Sequence, residues 1–203
     1  MKINIGIRPR DYTTTLTVAA ILIIVYLGQL AVAGSFHPES AFLAIKALPD
    51  IGYLILNPWM HSFHRHLVEN LAIFVLLAGW AERHVKSAYL AIAIIVAGYS
   101  TNLVPALVGF GGLGVGASGI TNALWAYFTG TQLAGFSSAL NDTPPDLRTA
   151  MTNLAFFSVG LIFVLHTIAQ FFSYISVTQN TATGAHLFGV CLGFGWLVLR
   201  YTW

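Results

Sequence analysis

Six stretches of the chain are apolar for long enough to cross a bilayer. They fall at about residues 14–34, 64–81, 87–108, 116–133, 150–172 and 183–201, separated by segments richer in charged residues, proline or glycine. A helix covers the hydrocarbon core with about 20 apolar residues. An open sheet edge has no hydrogen-bond partners in lipid. A β-barrel would show alternating segments of about 10 residues, and no such alternation occurs here. The pattern predicts an all-α membrane protein, a bundle of six transmembrane helices forming one domain over residues 1–203.

Composition agrees. The chain is 57% hydrophobic and 8% charged, with a mean hydropathy of +0.75. Soluble domains carry about 25% charged residues, so this chain could not cover a water-facing surface. The bilayer is its expected partner. A net charge of +2, with no basic cluster beyond Lys2, Arg8 and Arg10, gives no reason to expect nucleic acid. The single cysteine, Cys191, can form no internal disulfide and reads as a small buried hydrophobe.

Charge also sets an orientation. With the N-terminus inside, the inner face holds Lys2, Arg8, Arg10, Arg83, Lys86, Arg148 and Arg200, leaving only Lys46 and Arg65 outside. This follows the positive-inside rule and places both termini in the cytoplasm. The connection from Phe36 to Phe63 is long and semi-apolar, with Tyr53 and Trp59, and is expected to lie in or dip into the outer interface. The turn Asn141–Arg148, with Pro144, Pro145 and two aspartates, reads as solvated.

Three constellations could carry chemistry. The first is the glycine-rich entry to the fourth span. Six of the eleven residues from Gly109 to Gly119 are glycine, and Ser118 lies among them. Such a run suits an irregular loop entering a helix. Ser118 would then sit at a helix N-terminus, where free N–H groups favour a developing oxyanion. Packing through small residues explains the same segment. The spacing is Gly-x-Ser-Gly, and Ile120 breaks the Gly-x-Ser-x-Gly pattern of the hydrolase elbow.

The second is His186, with Gly189 and Gly193 on the same helix face at i, i+3 and i+7. Two glycines let a neighbouring helix approach closely and hold the histidine against it. Within reach of Ser118, His186 could act as a general base; otherwise it bonds a backbone carbonyl. The third is His66 with Asn70, at i and i+4 in the second span. An imidazole and an amide together suit an oxyanion pocket, or a pair of interhelical hydrogen bonds. His61 and His64 nearby raise a metal reading, but no histidine is followed by glutamate as in His-Glu-x-x-His. Those two histidines read as solvated at the interface, and no metal is expected. His166 reads as an interior histidine of the fifth span, Gln29 as interhelical glue, and Glu82 with Arg83, His84 and Lys86 as an inner-face anchor.

Together the three elements resemble the rhomboid family of intramembrane serine proteases. The resemblance rests on His66-x-x-x-Asn70, on Gly116-Ala117-Ser118-Gly119, and on Ala185-His186-x-x-Gly189-x-x-x-Gly193, in that order along a chain of six spans with a long first loop. It covers about residues 14–202. It implies a rhomboid-like bundle with a membrane-embedded first loop. It also implies a Ser–His dyad, with Ser118 as nucleophile and His186 as base. His66, Asn70 and the Ser118 N–H would hold the oxyanion, with Gly116 and Ala117 lining the same pocket and Gly119, Gly189 and Gly193 supporting it. The substrates would be transmembrane segments of other proteins, cut near the outer face without cofactor or metal, and the fifth helix would act as a gate. A bare six-span core suits a prokaryotic plasma membrane.

One residue departs from the family pattern. Many members carry an aromatic one turn after the serine, packed on the histidine. Here that position is Asn122, which is expected to orient His186 by a hydrogen bond. The alternative function is a non-proteolytic rhomboid-like protein that binds membrane clients, although such proteins usually lack the serine or the histidine. A channel or transporter would be expected to show inverted repeats or paired broken helices, and only one glycine-broken segment is visible.

Overall fold

The computed structural model describes residues 12–34, 44–45, 50–108, 115–175 and 181–202. Within them the chain is helical: α1 Thr13–Ala33, α2 Asp50–Leu56, α3 His64–Glu82, α4 Ser87–Leu107, α5 Ser118–Asn141, α6 Leu147–Ile175 and α7 Thr181–Thr202. The six long helices coincide with the six apolar stretches. Most of the first loop and the glycines from Gly109 to Gly114 lie outside the described residues.

Four helices are long and apolar enough to cross a membrane by length and composition: Thr13–Ala33, Ser87–Leu107, Leu147–Ser173 and Thr183–Arg200. Of the two that fall short, α3 and α5, the second has a physical reason to be more polar. In α5, 12 of the 24 residues are buried, because α4, α6 and α7 pack around it. A helix whose neighbours are protein needs no continuous apolar surface. The reverse holds for α6, where only 17% of the span is buried inside the molecule. Its exposed Met151, Phe156, Val159, Ile162 and Leu165 form an apolar surface suited to lipid.

Small residues set the helix spacing. A Cβ on Gly119 would lie 2.1 Å from Thr101 Oγ1 of α4, and one on Gly160 of α6 would lie 2.2 Å from Thr129 Oγ1 of α5. These contacts leave no room for a methyl group. Between them runs a core centred on Leu22, Phe74, Ile94, Ile120 and Leu124.

The N-terminus of α1 is held from a distance. Tyr12 gives it no side-chain cap. Instead the Glu82 carboxylate, buried at the end of α3, accepts from Thr14 N (2.7 Å), Thr15 N (2.9 Å) and Thr15 Oγ1 (2.7 Å). A negative group there satisfies orphan donors and matches the helix dipole. Glu82 is thus an internal tie, not only part of a surface anchor. Glu82→Gln removes the charge and sets an NH2 group among donors. It is expected to cost about 1.5–3 kcal/mol, read as a lower melting midpoint in detergent. An unchanged midpoint would mean that the tie carries no stability.

Other readings need correction. His166 is exposed and bonded along its own helix to Gln170 at 2.9 Å, because it faces outward from α6. Cys191 is exposed rather than buried. His61 is fully buried. The turn after α5 is solvated as expected, with residues 141–148 all exposed.

Candidate active site

Ser118 is the first residue of α5. Its approach is fixed by Gly116, whose φ of +107° is open to glycine and disfavoured for other residues. The Gly116 N–H donates to Asn57 O at 2.9 Å, so the end of the first loop holds the entry to α5 in place. The space beside Gly116 is taken: a Cβ there would stand 2.9 Å from His66 Cε1 and 3.3 Å from His66 Nε2. The ring of His66 therefore lies directly against the turn that delivers Ser118.

α7 meets α5 along its glycine face. A Cβ on Gly189 would sit 2.4 Å from Gly119 O, and one on Gly193 would sit 2.1 Å from Ala123 O. The same shift in numbering joins both pairs, so the two helices run parallel and in register. Carried back one turn, it sets His186 level with Gly116, at the start of α5. Three separate helices thus bring Ser118, His186 and His66 to one end of the bundle.

Asn70 follows His66 by one turn of α3. It is buried, and its Nδ2 has no hydrogen-bond partner among the described residues. A buried amide without an acceptor is costly and suits a site that awaits one. Ser118 is half-buried, and among the described residues no hydrogen bond joins it to His186.

These elements match a known family. Residues 50–202 match the Rhomboid domain. The chain belongs to the rhomboid family. The match runs from α2 to α7 and leaves α1 outside it. No curated protein matches the chain. Rhomboids are usually intramembrane serine proteases acting on transmembrane protein substrates, and inactive members exist. With its apolar helices, this rhomboid is an integral membrane protein.

The expected partner of Asn122 is not the one it has. Asn122 Nδ2 donates to Ser118 O at 2.8 Å, and its Oδ1 accepts from Thr167 Oγ1 of α6 at 2.9 Å. Among the described residues no bond runs from Asn122 to His186. The i, i+4 geometry that aims Asn122 toward Ser118 also puts its donor on the Ser118 carbonyl. The side chain therefore pins the first turn of α5 and ties it to α6. At the position where the resemblance leads to the expectation of a ring, this rhomboid has a bracket between two helices.

Sequence reasoning missed His61. Its backbone is clamped by Gln29, which donates to His61 O and accepts from His61 N, each at 3.0 Å. Its ring packs edge-on against His66, with centroids 5.1 Å apart. Both ring nitrogens are buried without a partner among the described residues. Burial, reinforced by the neighbouring His66 charge, pushes the His61 imidazole down to about 3, so it stays neutral at working pH. His61 is a wall behind His66. It precedes the helix, so no periodicity linked the two. His64 points elsewhere, with its Nδ1 hydrogen-bonded to the Tyr26 hydroxyl of α1. The histidines thus split between two neighbourhoods, and no group of three metal-ligating side chains forms among the described residues.

Proposed function

We propose that this rhomboid is an intramembrane serine endopeptidase working through a Ser118–His186 dyad. The observation that carries the reading is the in-register packing of α7 on α5, which sets His186 level with the entry to the serine helix. Ser118 Oγ attacks the scissile carbonyl carbon while His186 takes its proton. The oxyanion accepts from the Ser118 N–H, Asn70 Nδ2 and His66. Collapse breaks the C–N bond, and the leaving amine takes the proton back from His186. Water then hydrolyses the Ser118 ester by the same proton path. A loose nucleophile–base pair at rest is common and tightens when substrate binds.

We read the chain as one domain of six spans, with α5 as the protein-surrounded one. Both termini are cytoplasmic by the positive-inside rule, in a membrane of prokaryotic plasma type. No cofactor enters the reaction. Access comes from the side. α6 packs on α5 and α7. Toward α3 it leaves a cleft of 590 Å³ walled by Leu76, Trp80, Phe128, Phe156 and Val159. That cleft lies beside the end of α3, in the half of the bundle away from Ser118, so a transmembrane substrate would enter nearer the first turn of α5, with α6 as the gate.

The test compares wild type with Ser118→Ala, each given a fluorophosphonate probe and a single-span substrate in detergent. Labelling and cleavage in wild type, both lost in Ser118→Ala, support the protease. A folded wild type that neither labels nor cuts would overturn it in favour of a rhomboid that binds membrane clients without cutting them.

A further inference from the structure

A second cavity, of 440 Å³, lies at the opposite end of the bundle from Ser118. It is enclosed by the end of α3, the first two turns of α4, the middle of α5 and the last turns of α7. Ala93, Leu124 and Trp196 line it, and its walls are mostly apolar. It opens toward lipid: Tyr89 and Leu199, both in its wall, are 65% and 57% exposed.

The mouth is basic. Arg200 is part of the lining, donates to the Tyr127 hydroxyl at 2.6 Å and lies over the Tyr127 ring. Lys86 Nζ stands 5.8 Å from the centre of the Tyr89 ring. Both cationic side chains are exposed. Glu82, next to the lining residue Ala81, is occupied by the N-terminus of α1. An apolar slot of ligand size with two cations at a membrane face has the shape and charge of an amphiphile with a negative head. Basic pockets between transmembrane helices bind anionic lipid headgroups in this way, and the volume falls in the range of about 300–1,000 Å³ usual for ligand pockets.

We propose that this cavity is a binding site for an anionic phospholipid, with an acyl chain between α4 and α7 and the phosphate on Lys86 and Arg200. The site is independent of the proteolytic reading. Its two components separate it from the general attraction of basic residues for a membrane surface, which takes no account of cavity shape.

Dioleoylphosphatidylglycerol is titrated into the purified protein in a neutral detergent while the melting midpoint is followed, with dioleoylphosphatidylcholine as control. Wild type is expected to gain about 5–10 °C at a hundredfold excess over the Kd, and to saturate. Phosphatidylcholine should give little. The double variant Lys86→Gln, Arg200→Gln should lose the gain. Tyr127→Phe, which removes the hydroxyl but keeps both charges, should retain it. Ala93→Trp, which fills the slot and leaves the charges, should also lose it. Leu199→Trp at the exposed rim repeats that test should Ala93→Trp fail to fold. An equal response to both lipids, or a slot-filled variant that responds as wild type does, would overturn the proposal.

Discussion

Gly116→Ala is expected to abolish most turnover in a protein that still folds. Two independent costs fall on one methyl group. The backbone sits at φ +107°, where a Cβ collides with its own chain at a cost of about 1–2 kcal/mol. The Cβ would also stand 2.9 Å from His66 Cε1, with Met60 O at 3.5 Å on another side. The ring cannot swing away freely, because His61 packs on it and is itself clamped by Gln29. Either His66 leaves its proposed oxyanion position or the turn before Ser118 shifts. Loss of one oxyanion donor costs about 10²–10³ in kcat, so a fall of about that size is expected, with KM changed far less. Gly34→Ala is the control. Gly34 also has positive φ, at 65°, but nothing lies within 4 Å of its Cβ position. It should lower stability slightly and leave kcat alone. If the two variants cleaved substrate equally well, the crowding of His66 would have no catalytic meaning.

The helices were legible because lipid imposes a strict rule: about 20 apolar residues or no span. Length and hydropathy gave α1, α4, α6 and α7 directly. The stretches of α3 and α5 were read by the same rule, although neither is apolar enough to stand out by length and hydropathy alone. The proposed site was legible in part from glycine: Gly189 and Gly193 on the face of His186 announced a close helix contact, and α5 is that contact. Proximity of side chains from different elements was not legible. Nothing in the spacing tells that Gln29 in α1 reaches the backbone of His61, or that Thr167 in α6 donates to Asn122. Those bonds depend on how helices are rotated about their axes. The same rotation turned His166 and Cys191 outward against expectation. A histidine in a span is costly in lipid, but paired with Gln170 one turn on, His166 satisfies one ring nitrogen locally.

The same substitution, glycine to alanine, should act with opposite sign at three positions of α7. At Gly189 the new Cβ would meet Gly119 O at 2.4 Å, and at Gly193 it would meet Ala123 O at 2.1 Å and Ala126 Cβ at 2.7 Å. The obstacles are backbone atoms of the central helix, which cannot turn aside as a side chain can. α7 must move off α5, at a cost of about 1–3 kcal/mol or more. At Gly195 nothing lies within 4 Å, and removing a helical glycine should instead stabilise by about 0.5–1 kcal/mol. Melting midpoints in detergent should therefore fall for Gly189→Ala and Gly193→Ala and rise for Gly195→Ala. Activity adds a finer reading. His186 rides on the same turn as Gly189, and a misplacement of about 1 Å can cost about 10²-fold in rate. Assayed well below its midpoint, Gly189→Ala should lose more activity than Gly193→Ala, whose contact lies one turn further from His186. Equal melting of all three variants would mean that the glycine face does not set the spacing of α5 and α7. Equal losses of activity at 189 and 193 would mean that the helix shifts as a rigid rod, with no local tilt at His186.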